Sequence, residues 1–122
     1  MSDSIVPPPA ATFRALHGTP VMFAGMVGVD AEWRPVGGTF ADEAAAVFAR
    51  LDAALGAAGL DRGRVVSARC YLTDFADFAD FNAAWSAYFG PDAPPRTTVG
   101  AMLHPPFRLE VEVVAARPEP HG

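Results

Sequence analysis

The sequence predicts a single α+β domain in which a mixed sheet carries two helices on one face. Several stretches have an apolar residue at every second position, as strands do. Two further stretches have apolar residues three or four positions apart, as helices do, and the two kinds of stretch follow one another along the chain. Helices inserted between strands act as crossovers, which is the arrangement of α+β folds. The 122 residues leave little material for a second core. We expect a flexible arm over residues 1–10, a domain over 11–117 and a loose tail over 118–122.

The first third of the domain contains two apolar stretches separated by turn residues. Residues 12–16 form a weak strand candidate, residues 18–20 (Gly-Thr-Pro) are typical of a turn, and residues 21–27 form an apolar run of strand length. This order predicts a hairpin. The Gly- and Pro-containing connection that follows is expected to include a brief strand at Trp33.

A capping-box pattern marks the start of the first helix. Thr39 and Asp42 stand at the spacing at which a hydroxyl and a carboxylate satisfy free backbone amides, and apolar residues then recur every three or four positions. Gly59 supplies the left-handed residue that ends such a helix. Residues 65–72 alternate as a half-buried strand, with Cys70 on the core side as a small apolar residue.

The last part of the domain predicts a helix and a second hairpin. Asp77 is expected to cap the second helix with its side chain, and Gly90-Pro91 ends it. Residues 96–103 and 109–113 are strand candidates joined by a Pro105-Pro106 turn. The sheet face away from the helices is left apolar, and in a chain of this size the usual remedy is burial against copies of itself.

Composition excludes several function classes. Fourteen acidic and nine basic residues give a net charge of −5, and no basic run is present, so we expect no nucleic-acid partner. No apolar stretch approaches the roughly 20 residues that span a bilayer, and no secretory signal is visible, so we expect a cytoplasmic protein without membrane association. The three histidines (His17, His104 and His121) lie far apart, and no metal-ligand spacing occurs, so we expect no metal site.

An ordered set of short motifs is similar to the Rid (YjgF-type) family over about residues 19–116. The proline-arginine-hydroxyl step at Pro95-Arg96-Thr97-Thr98 and the paired glutamates Glu110 and Glu112 are the most specific members of the set. The others are Phe23-Ala24-Gly25, Gly37-Gly38, Ala57-Ala58-Gly59-Leu60, Tyr71-Leu72-Thr73-Asp74-Phe75-Ala76-Asp77-Phe78, Phe81-Asn82, Tyr88-Phe89 and Leu109-Glu110-Val111.

The resemblance implies a chorismate-mutase-like fold and a homotrimer whose three sheets form a central barrel, with clefts between subunits. Deaminases of this family hydrolyse reactive 2-enamino and 2-imino acids to 2-keto acids and ammonia, without a metal or an organic cofactor. The expected partners of this chain are therefore a small carboxylate substrate and two further copies of itself.

The resemblance also implies the site residues. Arg96 matches the arginine that binds the substrate carboxylate, for which a planar guanidinium offers two parallel donors. Glu110 matches the glutamate that handles the attacking water, and Gly25 matches a glycine whose backbone lies close to the ligand. Thr98 stands where many members have a cysteine and could donate a hydrogen bond. Phe13 and His104 are further candidates for the substrate-binding cleft.

The chain departs from the best-studied deaminases in two places, and alternatives follow. Residues 10–13 read Ala-Ala-Thr-Phe instead of a Gly-Pro-Tyr motif, so Phe13 fills the place of a tyrosine but has no hydroxyl. The segment 96–103 is about one residue shorter.

The alternative functions are a regulatory member that binds small carboxylates without converting them, and a purely structural or chaperone-like trimer. An arginine at a strand start is ordinarily an ion-pair partner, and alternating glutamates ordinarily form a solvated strand face.

Overall fold

A computed structural model describes residues 11–120 and shows four strands and two helices in an interleaved order. The predicted N-terminal arm, residues 1–10, lies outside the described residues. The elements in chain order are β1 (Thr19–Met22), α1 (Phe40–Ala57), β2 (Val65–Leu72), α2 (Phe78–Phe89), β3 (Arg96–Gly100) and β4 (Leu109–Arg117). Short 3₁₀ turns occupy residues 62–64, 75–77 and 90–92.

The strands form one mixed sheet in the order β1-β4-β2-β3. Strand β4 runs antiparallel to both β1 and β2, and β3 runs parallel to β2. One face of β2 and β4 is buried, and its residues share a single core with the apolar stripes of α1 and α2. The prediction of an α+β domain with a mixed sheet and two helices is therefore confirmed.

The two predicted hairpins are wrong. Strand β1 pairs with β4 at the far end of the chain (Thr19 opposite Arg117), and β3 pairs with β2 across the α2 crossover. Residues 12–16 form no strand, because the Arg14 guanidinium donates to the carbonyl oxygens of Val65 (2.9 Å) and Asp92 (2.9 Å) and fastens this segment elsewhere. Strand β3 ends at Gly100, short of residue 103.

The connection before α1 differs from its prediction at Trp33. This residue lies in a turn with a φ of 64° instead of in a strand. Asp30 builds the turn, because its Oδ1 accepts from the backbone amides of Glu32 (2.9 Å) and Arg34 (3.0 Å). Carboxylates that bond to nearby backbone amides compete with strand pairing, so the local turn prevails here.

The helix ends agree with the sequence for α1 and differ for α2. Thr39 and Asp42 form the predicted capping box, and Gly59 follows α1 with a φ of 75°. The side chain of Asp77 makes no capping hydrogen bond. The chain is already helical at that point, because a 3₁₀ turn capped by Asp74, whose Oδ1 accepts from the amide of Ala76 (2.9 Å), runs directly into α2.

No helix within residues 11–120 is both long enough and apolar enough to cross a membrane.

Candidate carboxylate-binding site

Arg96 begins β3 and extends beneath α2. It stands opposite Ala68 of β2, which is buried, so its side chain lies on the helix-covered face of the sheet. Its Nη2 donates to Oδ1 of Asn82 on α2. The guanidinium also lies against three aromatic rings of the same helix, at 4.8, 5.0 and 5.8 Å from the ring centroids of Phe81, Trp85 and Phe78.

The guanidinium of Arg96 has no acidic partner within residues 11–120. Arg108 pairs with Glu43 at 2.7 Å and Arg34 pairs with Asp30 at 3.6 Å, whereas Nη1 of Arg96 is buried without any acceptor among the described residues. Burial lowers the pKa of Arg96, since desolvation disfavours the charged form. A buried donor without an acceptor is unusual in folded proteins. The arrangement therefore suits an anion supplied from outside the chain.

Thr98 lies two residues along the same strand and on the same face as Arg96. Its Oγ1 is buried without a nitrogen or oxygen partner among the described residues, and it stands opposite Cys70 of β2. Burial raises the pKa of the Cys70 thiol to about 12, although the Arg96 charge and the Thr98 hydroxyl act in the opposite direction. Cys70 therefore remains a protonated core residue at neutral pH, as its place in the strand pattern predicts.

Glu110 and Gly25 lie together at the other side of the sheet. The amide of Met26 donates to the carbonyl of Val111 (2.7 Å), and the amide of Val111 donates back (3.1 Å), so the loop before residue 26 crosses β4 beside Glu110. A Cβ atom at Gly25 would lie 2.8 Å from Cδ of Glu110. A side chain at position 25 would therefore displace the Glu110 carboxylate from the place it occupies beside this backbone.

Arg96 and Glu110 lie on opposite faces of the sheet. Glu110 stands opposite Tyr71 in the β2–β4 pair, whereas Arg96 is aligned with Ala68, and residues at odd and even positions of β2 point to opposite faces. One chain alone therefore does not bring the two predicted catalytic residues together.

Phe13 and His104 do not join either group. The Phe13 side chain is 83% exposed. The ring of His104 is exposed, and its Nδ1 donates to the carbonyl of Pro105 (2.7 Å). The structure thus places Gly25 beside Glu110 and Thr98 beside Arg96. Phe13 and His104 lie near neither of these groups.

Two polar residues that were not predicted as site residues, Asn82 and Glu43, each bind an arginine. Asn82 lies within the aromatic stripe of α2, four residues after Phe78, and this spacing on one helix face is the signal that points it toward Arg96. Glu43 is 4% exposed and lies within the apolar stripe of α1, four residues before Val47. A buried carboxylate requires a hydrogen-bonded or charged partner, which Arg108 supplies.

Comparison with known proteins decides the family. The sequence profile of the family described as Endoribonuclease L-PSP, which is the YjgF/RutC family, matches residues 7–117. The chain belongs to the Rid/YjgF family. A RutC family protein of Aquifex aeolicus is 30% identical over 100 residues, which cover 80% of each chain.

Solved Rid structures share the fold. The crystal structure of YyfB, a Rid family protein of Yersinia pestis, superposes with a TM-score of 0.79 at 27% identity, covering 95% of this chain and 92% of that one. Yeast Mmf1 superposes with a TM-score of 0.77 at 27% identity, covering 90% and 91%. The yeast protein is mitochondrial by name, so the cytoplasmic location of this Rid chain stays a prediction.

Proposed function

We propose that this Rid protein hydrolyses 2-imino and 2-enamino acids to 2-keto acids and ammonia, with the substrate carboxylate bound by Arg96. The observation that carries the proposal is the buried Nη1 of Arg96, which has no acceptor among the described residues. A carboxylate oxygen is the natural acceptor for this donor, because Nη2 already binds Asn82 and fixes the plane of the guanidinium.

The remaining residues suggest how the reaction proceeds. In the proposal, water bound by the Glu110 carboxylate attacks the imine carbon and gives up a proton to that carboxylate. Glu110 returns this proton to the nitrogen of the tetrahedral intermediate, and the hydroxyl proton of the intermediate also passes to the nitrogen as the carbonyl forms and ammonia leaves. One imino acid and one water are consumed, and one keto acid and one ammonia are released. Thr98 offers its unpartnered hydroxyl beside Arg96.

The proposal includes a homotrimer. Because Arg96 and Glu110 occupy opposite faces of one sheet, a site that uses both must take one residue from each of two copies. The face bearing Glu110 also exposes apolar side chains, including Met22 (74%) and Val99 (42%), at positions where a second copy would cover them.

The test follows keto-acid release from 2-aminoacrylate or 2-iminobutyrate generated in situ. We expect Arg96→Ala to lower kcat/KM about 100-fold, because the charge-assisted pair that orients the substrate is lost. Arg34→Ala is the matched control, since Arg34 is a surface arginine that pairs with Asp30, and its rate should equal wild type. Equal rates for wild type and Arg96→Ala, or no acceleration by either, contradict the proposal.

One observation favours a second candidate, a member that binds small carboxylates without converting them. Phe13 carries no hydroxyl, so it supplies no proton donor at the place where the best-studied deaminases have a tyrosine. This candidate predicts calorimetric binding of 2-keto acids that depends on Arg96, without hydrolysis of any imine. An activity on RNA, which the family name describes, finds no support in the net charge of −5.

A further inference from the structure

We propose that Glu43, a buried residue of α1 outside the predicted site, is a positioning residue that holds Glu110 in its working place. The inference rests on the proposed role of Glu110 in handling water. Glu43 touches no substrate in this proposal, and it acts through the first residues of β4.

The carboxylate of Glu43 is bound by the chain immediately before Glu110. Its Oε2 accepts from the backbone amides of Arg108 (2.7 Å) and Leu109 (3.1 Å), and its Oε1 accepts from Nε of Arg108 (2.7 Å). Leu109 is fully buried and is the residue next to Glu110. Two backbone donors and one side-chain donor on a single carboxylate fix where β4 starts relative to α1.

Glu43 also contacts the segment that carries Gly25. A Cβ atom at Gly28 would lie 2.8 Å from Cγ of Glu43 and 3.0 Å from its carbonyl oxygen, so the backbone of this loop rests directly on Glu43. The same loop is joined to β4 by the Met26–Val111 hydrogen bonds. Glu43 therefore contacts both of the segments whose meeting places Gly25 against the Glu110 carboxylate.

The chemistry requires an acceptor at position 43 more than it requires a charge. The Arg108 and Leu109 amides would otherwise be donors without acceptors at a buried strand start, and such donors draw the backbone toward another partner. Glutamine keeps one carbonyl oxygen that can accept from both amides. Methionine has similar length and helix propensity but provides no comparable acceptor.

The first experiment measures steady-state kinetics of imine hydrolysis by the full-length protein. We expect Glu43→Met to lower kcat about ten-fold with KM nearly unchanged, because Arg96 still binds the carboxylate while Glu110 is displaced. Glu43→Gln should restore most of the rate. Val47→Ala is the control, since Val47 is fully buried four residues further along α1 and its truncation lowers stability without removing an acceptor. A loss of kcat in Val47→Ala as large as in Glu43→Met overturns the proposal.

The second experiment does not depend on activity. The ¹³C resonance of the Glu110 side-chain carboxyl should shift in Glu43→Met and stay in place in Val47→Ala. Gly28→Ala provides a further variant in case Glu43→Met does not fold, because the added methyl displaces Glu43 without removing its carboxylate. An unchanged Glu110 resonance in both Glu43→Met and Gly28→Ala overturns the inference. If the wild-type protein hydrolyses no imine, the proposed function fails and this resonance alone decides the role of Glu43.

Discussion

Cys70 shows how burial can dominate the chemistry of a residue. Its thiol is fully buried, and burial raises its pKa from the ordinary value of 9.0 to about 12. The thiol of the unfolded chain ionises first as pH rises, so the stability contributed by the protonated form is complete below pH 9 and is lost between pH 9 and 12. We expect the free energy of unfolding to fall by about 1.4 kcal/mol between pH 8 and 10 from this group.

Urea denaturation at the two pH values measures this loss. A hydrogen bond to Glu112 raises the pKa of Tyr71, and burial with a hydrogen bond to Asp52 raises that of Tyr88. The comparison is therefore with Cys70→Ala, which retains both tyrosines. The variant should lose less stability than wild type on going to pH 10. An identical loss in the two proteins would show that Cys70 does not titrate differently on unfolding.

Individual site residues were predictable to different degrees. The motifs singled out Arg96, Thr98, Gly25 and Glu110. The structure places Arg96 and Thr98 together on β3, and Gly25 beside Glu110. Glu43 and Asn82 were missed because their importance comes from contacts with residues 65 and 14 positions away in the chain. A polar residue inside an apolar helix stripe is the sequence signal for such contacts.

The end of α1 allows a prediction about a whole element. Gly59 has a φ of 75° with nothing near a would-be Cβ, whereas Gly56 lies within α1 and has equally open space. Alanine at Gly59 should cost about 1 kcal/mol, because the left-handed conformation disfavours a side chain. Alanine at Gly56 should stabilise the protein by about 0.5–1 kcal/mol, because glycine weakens a helix interior.

Thermal and urea denaturation of the two single variants test this pair. Both substitutions add the same methyl group, so the difference in sign isolates the backbone conformation from packing. Two effects of the same sign would contradict the assignment of Gly59 as the residue that ends α1.

Helices and central strands were predictable, whereas strand partners were not. The apolar periods of α1, β2 and β4 depend on residues close in sequence, and these elements form as predicted, although β4 continues to Arg117, beyond its predicted end at residue 113. The pairing of β1 with β4 joins the two ends of the domain, and no local pattern specifies it. Thr19 and Pro20, which the sequence predicts in a turn, are the first residues of β1, and Arg14 binds the carbonyl oxygens of Val65 and Asp92, so no hairpin forms there.

At the scale of the whole molecule, the sheet separates the two halves of the proposed site. Arg96 is held beneath α2 on the covered face, and Glu110 lies beside Gly25 on the open face, which also carries Arg69, Tyr71 and a depression of ≈ 240 Å³. A small domain that leaves one sheet face open commonly covers it with copies of itself. Neither Arg96 nor Glu110 reaches the other without a second copy. The proposed reaction therefore requires the proposed assembly.

Mixing two inactive variants tests this dependence directly. Arg96→Ala and Glu110→Gln should each be inactive alone, because every site lacks one of its residues. The two variants are denatured and refolded together in equal amounts. A site is complete when its Arg96 comes from a Glu110→Gln chain and its Glu110 comes from an Arg96→Ala chain. Random assembly makes about one quarter of the sites complete. We therefore expect about one quarter of wild-type activity in the mixture, with light scattering reporting three chains per particle. A trimeric mixture that stays inactive would show that the two residues do not act across an interface.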